Sequence, residues 1–147
     1  MLTIGKLGEV AGVKVPTIRY YEQIGLLPEP ERSAGNQRLY AAKAQDRLAF
    51  IRHARALGFP LEAIRDLLSL ADSPDRSCAA ADGIAKEQLA AVKARIARLT
   101  ALQAELERMI AHCAHGMIAD CRVIEVLSDH RLCADDHRAT TGQGAAP

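Results

Sequence analysis

The first 25 residues place apolar side chains at the spacing of two short helices. Thr3 can act as an N-cap, and the apolar positions after it recur every three or four residues through Val10. Gly12 permits a tight turn, Pro16 suits the first turn of a second helix, and Gly25 ends that helix. Two short helices joined by a glycine-containing turn predict a helix-turn-helix.

The pattern then changes to a loop or hairpin, followed by two more helices. Residues 26–40 place short apolar pairs between turn-forming residues, which disfavours a helix. The turn-forming residues are Pro28, Pro30, Gly35 and Asn36. Helical spacing returns in residues 41–57 and again in residues 61–71, with Gly58 between them.

Residues 77–113 predict one long helix. They contain no proline and one glycine, and a helix of about 35 residues spans roughly 52 Å at 1.5 Å per residue. Apolar positions alternate in steps of three and four, as in a coiled-coil seam with one polar interruption. The seam positions are Ala85, Leu89, Val92, Ile96, Leu99, Gln103, Leu106 and Ile110. Too little chain remains to cover this stripe, so the pattern predicts a homodimer.

Composition agrees with a mainly helical protein. Hydrophobic residues make up 49% of the 147 but aromatic residues only 3%, so Ala, Leu, Ile and Val supply the apolar bulk. No apolar run approaches the roughly 20 residues that cross a bilayer, and no signal-peptide core opens the chain. We therefore expect a cytoplasmic protein with no membrane association. An enzyme is not expected, since no paired carboxylates or nucleophile–base arrangement stands out.

Charge is unevenly distributed along the chain. Residues 1–60 carry nine Lys and Arg against five Asp and Glu, a balance of +4, whereas residues 61–147 have ten against thirteen, a balance of −3. A basic head on an acidic remainder indicates a head that meets phosphate. In a helix-turn-helix the second helix presents its N-terminal side chains to the major groove. Here Thr17, Arg19 and Tyr20 offer suitable donors, although a surface arginine beside two core tyrosines explains the spacing equally well.

The cysteines indicate metal or redox chemistry. The four are Cys78, Cys113, Cys121 and Cys133, none in a CxxC pair, and stable disulfides are disfavoured in the cytosol. Seven residues before Ala85 lies Cys78, and three after Ile110 lies Cys113, so both fall on the predicted seam. They stand at opposite ends of the helix, some 50 Å apart, and cannot share an ion within one chain.

Antiparallel pairing of two such helices solves this problem. It places Cys78 of one protomer beside Cys113 of its partner, with the two-fold axis near Arg95 and Ile96. Cys121, one loop later, can fold back to complete a three-thiolate site. Thiolates bind soft and borderline ions such as zinc, cadmium, lead, mercury and Cu(I). Buried thiols that act only as small hydrophobic groups are the alternative for any single cysteine.

The head closely resembles that of a known family. Two segments are similar to the DNA-binding head of the MerR family, namely TIRYYEQIGLLPEPERSAGNQRLY and RLAFIRHARALGFPLEAIRDLL. The similarity extends from Ile4 to about Ser128. The resemblance implies a winged helix-turn-helix head, a helix pair and a long helix that pairs antiparallel in a homodimer. It places Arg19 and Tyr20 in the recognition helix, and Arg55 at a DNA-backbone contact. The wing residues it implies are Arg32, Arg38 and Tyr40.

The resemblance also implies a mechanism. Members bind palindromic operators in promoters whose −35 and −10 elements are too widely spaced. Effector binding makes the protein bend and untwist that spacer, so that RNA polymerase engages both elements and transcription is activated. In metal-sensing members the effector is a metal ion, and the expected targets are metal efflux or resistance operons.

The resemblance implies the same ligands as the seam, namely Cys78, Cys113 and Cys121. Members that detect Cu(I) share the ADC and VIE-like run but use two thiolates and have no cysteine at the position of Cys78. We therefore expect a divalent effector, which is zinc, cadmium, lead or mercury, with a Cu(I) regulator as the nearest alternative. His115 is a possible additional ligand because zinc members carry a second cysteine where this chain has Ala114. Cys133 is similar to a tail cysteine of lead- and cadmium-responsive members.

Two further alternatives remain from the sequence: a thiol-redox regulator and a module with a permanent structural zinc. The expected fold is mainly α and has four parts. Residues 1–74 form the winged helix-turn-helix head with its helix pair, and residues 75–113 the dimerisation helix. Residues 114–128 form the metal-binding loop and a short helix over 121–127, and residues 129–147 form a disordered tail.

Overall fold

Two short helices open the fold and are fixed by the residues at their ends. The computed structural model describes residues 1–113 and 115–132. Helix α1, Ile4–Ala11, begins after Thr3, whose hydroxyl accepts a hydrogen bond from the Lys6 amide at 3.4 Å. It ends at Gly12 in the left-handed conformation, with φ of 65°. Helix α2, Val15–Gln23, carries proline in its first turn and is followed by Gly25 at φ of 77°.

A small antiparallel sheet forms the wing. Strand β1 is Leu2–Thr3, β2 is Glu31–Arg32 and β3 is Arg38–Tyr40. Strand β3 lies in the centre, between β1 and β2. Its pairing with β1 brings Leu2 opposite Tyr40, and its pairing with β2 brings Arg32 opposite Arg38. The strand at residues 2–3 was not expected from the sequence, because a two-residue strand leaves no periodicity and depends on a partner almost 40 residues away.

The helix pair closes the core of the head. Helix α3 is Ala42–Ala56, and α4 is Leu61–Ala71. The fully buried side chains of this core are Leu7, Ile18, Leu26, Tyr40, Leu48, Ile51 and Ile64. Three arginines of α3 and α4 donate to backbone carbonyls at or just beyond the ends of α1 and α2. They are Arg52 to Ala11 at 3.1 Å, Arg47 to Leu26 at 2.8 Å, and Arg65 to Ile24. Because helix C-termini carry unpaired carbonyls, these bonds fasten the helix-turn-helix to the pair behind it.

The long helix α5, Ala79–Ala111, has 33 residues. The chain separates into two compact units, Met1–Gln88 and Leu89–Pro147. In the second unit, helix α6, Arg122–Ser128, follows a short 3-10 turn at Ile118–Asp120. Met109 and Val126 are buried there. Among the described residues, no helix is both long enough and apolar enough to cross a membrane.

The architecture expected from the sequence is confirmed: a mainly helical chain with a winged helix-turn-helix and one long helix. Helix α4 has the expected bounds, and the other helices agree to within two residues at each end. Residues 130–132, inside the segment that we expected to lack structure, form a 3-10 turn. The rest of that expectation, residues 133–147, lies outside the described residues, as does Ala114.

Two glycines of α1 provide a stability test. A Cβ on Gly8 would lie 2.7 Å from the Val13 carbonyl oxygen, whereas one on Gly5 would meet no atom within 4 Å. Gly8→Ala should therefore lower the free energy of unfolding by about 1–3 kcal/mol, because the backbone of the turn must shift. Gly5→Ala should leave stability unchanged or raise it by up to about 1 kcal/mol, since alanine loses less entropy in a helix. Urea denaturation of both variants checks this, and equal effects would contradict the close approach at Gly8.

Candidate DNA-reading surface and metal centre

Helix α2 divides into a core face and an outward face. Ile18 and Tyr21 are buried, whereas Arg19 and Tyr20 are exposed and Thr17 is partly exposed. Only one of the two tyrosines thus belongs to the core, although their ring centroids lie 6.1 Å apart. The outward face presents a guanidinium and a phenol, which are donors that can reach base edges or phosphates.

The wing carries two arginines with different surroundings. Arg32 is exposed, and its Nη1 donates to the carbonyl and to Oδ1 of Asn36 at 3.1 and 3.3 Å. Asn36 has φ of 62°, a left-handed conformation that asparagine tolerates in a tight turn. Arg38 is partly buried, with its Nε 3.3 Å from Oε2 of Glu22. Both guanidiniums therefore lie on the hairpin, and the Asn36 turn orders the exposed one.

Tyr40 corrects one of the expectations from the sequence. We expected it among the DNA contacts of the wing, but its side chain is 2% exposed and its hydroxyl donates to Glu22. Burial and the adjacent carboxylate of Glu22 raise the pKa of this phenol well above its usual value. Tyr40 therefore supports the wing from the core side. The side chain of Tyr40 lies on the buried face of β3. A strand of three residues is too short for its alternation of apolar and polar residues to predict which face is buried.

Arg55 lies near the C-terminal end of α3. It is partly buried, and its Nη1 donates to the Phe59 carbonyl at 3.1 Å, in the turn that leads to α4. That turn contains Gly58 at φ of 83°. The side chain thus braces the turn, and its remaining donors have no hydrogen-bond partner among the described residues.

The structure brings Cys113 and Cys121 together. Cys113 follows α5, and Cys121 is the N-cap residue of α6. Hydrogen bonding from the backbone of Ile124 lowers the pKa of Cys121, and smaller contributions come from the backbone of Val123 and the thiol of Cys113. The first turn of a helix stabilises negative charge through its unpaired amides, so the fold favours the thiolate that a metal requires.

Two of the three remaining candidate ligands, Cys78 and His115, lie among the described residues. Cys78 is an exposed free thiol directly before α5, and its carbonyl accepts the Asp82 amide at 2.9 Å. His115 is exposed, with φ of 53°. Within residues 1–113 and 115–132, no three His, Cys, Asp or Glu side chains of one chain form a metal-binding group. Cys133 lies outside the described residues.

Glu22 was not singled out from the sequence. Its side chain is 11% exposed, and its two oxygens face Tyr40 and Arg38 on strand β3. A polar residue inside a helix pattern looks like an ordinary solvent-facing position, and the partners lie 16 and 18 residues further along the chain. Only the pairing of the hairpin against α2 makes this carboxylate an internal group.

Two family profiles match this chain, one over the head and one over the segment that includes the long helix, and both describe the same family. Residues 2–71 match the family profile "MerR HTH family regulatory protein", and residues 45–109 match "MerR, DNA binding". The HTH-type transcriptional regulator ZntR of Escherichia coli (strain K12) is 43% identical over 131 residues, which cover 86% of this chain and 92% of that relative. Heavy metal-dependent transcription regulator 1 of Rhizobium meliloti (strain 1021) is 35% identical over 129 residues, or 87% and 88% of the two chains.

A solved structure also matches. The transcription regulator PbrR691 from Ralstonia metallidurans CH34, in complex with lead(II), superposes with a TM-score of 0.77 at 39% identity. The match covers 86% of this chain and 99% of that one. These proteins are DNA-binding regulators and not enzymes, as the sequence predicted. With matches that span the head, the long helix and the segment beyond it, this chain belongs to the MerR family of helix-turn-helix transcription regulators.

Proposed function

We propose that this chain is a homodimeric, metal-responsive transcription regulator whose effector is a divalent thiophilic ion: zinc, cadmium, lead or mercury. In this proposal the ion is bound by Cys113 and Cys121 of one protomer and by Cys78 of its partner. The protein activates a metal efflux or resistance operon by distorting the promoter spacer, so that RNA polymerase engages both promoter elements. It acts in the cytoplasm, where promoter DNA is found.

The contact between Cys113 and Cys121 is the observation that carries the proposal. It brings two thiols to the N-terminus of α6, where the helix amides lower the pKa of one of them. Two thiolates are an incomplete set for a divalent ion, which takes three or four ligands. Since the described residues of one chain supply no third ligand nearby, a donor from a partner is the simplest completion.

The exposed stripe of α5 supports the homodimer. Its large side chains remain half or more exposed in the single chain; they are Leu89, Ile96, Leu99, Leu106 and Ile110. A stripe of this length on one helix has the pattern of a coiled-coil seam, and dimers are typical of the family. Antiparallel pairing about Ile96 places Cys78, just before α5, near Cys113, just after it. A bound ion would then supply bonds that tie the two chains together.

The head supplies the DNA-binding side chains of the proposal. Arg19 and Tyr20 are exposed on α2, and Arg32 and Arg38 lie on the hairpin. Thr17 and Arg55 are partly exposed and complete the proposed contacts. Arginine donors in this arrangement suit both guanine edges and phosphate oxygens.

One observation favours a second candidate, a Cu(I)-responsive regulator. Among the described residues of one chain, Cys113 and Cys121 are the two cysteines that come together, and two thiolates suffice for Cu(I). Two points support the divalent assignment instead. Cys78 lies at the seam position that antiparallel pairing brings to the site, and the related PbrR691 was solved with lead(II). His115 remains a possible fourth ligand of the proposed site.

The function is tested by transcription in vitro from the operon's own promoter. The reaction contains the dimer, RNA polymerase and stepwise additions of zinc, cadmium, lead, mercury or Cu(I). We expect one or more divalent ions to raise transcript yield, and a chelator to reverse the effect while the protein stays folded. Activation by Cu(I) alone would replace the divalent assignment. Activation by an oxidant without metal would point to a redox regulator, and a metal that cannot be exchanged without unfolding would indicate a structural site.

A further inference from the structure

The recognition helix and the wing are joined through one carboxylate. Glu22 lies near the end of α2, and each of its oxygens faces a residue of β3. Oε1 accepts the hydroxyl of Tyr40, and Oε2 lies 3.3 Å from Nε of Arg38. Among the described residues, no other hydrogen bond or ion pair joins α2 to β3. Glu22 is therefore the polar link between the helix and the strand that carry the proposed DNA contacts.

The surroundings of Glu22 make the contact specific. A carboxylate that is 11% exposed loses most of its hydration, a loss that only a good donor or an opposite charge offsets. The guanidinium of Arg38 is also partly desolvated: its Nε is buried and forms an ion pair with Glu22 but makes no hydrogen bond. Each charge is thus the main compensation for the other. Removing either one deprives the other of its nearest opposite charge between helix and wing.

Arg38 keeps its outer donors free. None of the hydrogen bonds of the described residues involves its Nη atoms, and its side chain is about one-third exposed. Glu22 engages only the Nε edge of the guanidinium. An arginine held by one edge loses little further rotamer freedom when its other edge meets a phosphate, so it is already ordered for that contact.

We infer that Glu22 is a positioning residue for DNA binding: its carboxylate holds Arg38 by the Nε edge and so fixes the wing guanidinium relative to the recognition helix. The inference rests on the proposed contact of Arg38 with DNA. Glu22 itself touches no DNA and bears a charge that phosphate repels. A negative residue beside a DNA surface is therefore expected to strengthen operator binding through its neighbour.

The test compares Glu22→Gln with Glu29→Gln. Both substitutions remove one negative charge from the head, but Glu29 is exposed and makes no ion pair among the described residues. Operator affinity is measured over a range of salt concentrations, since each lost phosphate contact reduces the salt slope by about one. We expect Glu22→Gln to bind at least about 10-fold more weakly than Glu29→Gln, with a slope smaller by about one. Arg38→Ala should show the same slope change, and the double variant should lose little more than either alone.

Three results would overturn the inference. Glu22→Gln and Glu29→Gln could behave alike, or the losses from Glu22→Gln and Arg38→Ala could add in full. Arg38→Ala could also leave affinity and slope unchanged, which would remove Arg38 from the proposed DNA surface as well. The first two results would leave the proposed function intact.

A second variant separates positioning from packing. Tyr40→Phe removes the hydroxyl that Glu22 accepts but keeps both the ring and the pair with Arg38. We expect its salt slope to equal that of the wild type, with circular dichroism showing the same helix content. If Tyr40→Phe instead reproduces the slope change of Glu22→Gln, the Tyr40 hydroxyl and not the ion pair with Arg38 fixes the position of the wing, and the inference fails. If Glu22→Gln folds poorly, the slope change of Arg38→Ala serves as the reference, and a Tyr40→Phe slope that equals it overturns the inference.

Discussion

Cys78→Ser is expected to abolish activation by divalent ions and to weaken their binding by more than about 100-fold. The loss of a hydrogen-bond partner behind a metal ligand already costs about 10–100-fold in affinity, and here the ligand itself is replaced. Serine offers a neutral, hard oxygen in place of a charged, soft thiolate. Cys113 and Cys121 would remain together, so the variant should retain or acquire a response to Cu(I). Ultraviolet thiolate-to-metal bands and promoter activation measure the two effects separately.

The control for this variant makes the same substitution at another cysteine. Cys133→Ser should leave divalent activation and the ultraviolet bands close to those of the wild type, since Cys133 is not among the three proposed ligands. If the wild type responds only to Cu(I), and Cys78→Ser behaves identically, then Cys78 is not a ligand and the effector is not divalent.

Ile96→Glu should dissociate the dimer and with it abolish operator binding. Ile96 is 57% exposed in the single chain and lies next to the proposed two-fold axis, where the variant would bring two carboxylates into one apolar seam. An uncompensated charge buried in an interface costs about 3–5 kcal/mol, which corresponds to roughly 10²–10⁴-fold in dissociation constant. Sedimentation equilibrium measures the dimer, and a mobility shift with a palindromic operator measures DNA binding.

Ala94→Glu is the matched control, because it adds the same carboxylate at an exposed α5 position outside the stepped seam. It should dimerise normally and bind the operator within a few-fold of the wild type. A fully dimeric Ile96→Glu would mean that the stripe of α5 is not the interface.

Most of the fold followed from local features of the sequence. Thr3 and Gly12 bound α1, and the seam periodicity marked α5, because caps, turns and helical spacing are set by neighbours in sequence. The strand at residues 2–3 and the inward direction of Tyr40 did not follow. Both depend on the pairing of segments that lie almost 40 residues apart, and no local pattern encodes it.

The candidate site was foreseen in part for a similar reason. Counting predicts that Cys78 and Cys113 share one helix face, and this stays a prediction because both residues lie just outside α5. The contact of Cys113 with Cys121 depends only on a short loop. The roles of the charged residues in the head could not be derived from spacing along the sequence. Glu22 and Arg55 have the sequence context of ordinary surface residues, and their partners Arg38 and Phe59 became evident only from packed side chains.

A disulfide crosslink tests whether a metal site is shared by two antiparallel chains. The chain is prepared without metal in a Cys121→Ser, Cys133→Ser background, so that only Cys78 and Cys113 can react. Disulfides need Cα atoms within about 7 Å, so mild oxidation reports which of these cysteines are neighbours. Antiparallel pairing predicts that mass spectrometry of the digested dimer finds Cys78 joined to Cys113 of the other chain. A dominant Cys78–Cys78 product would show a parallel pair and contradict the shared site.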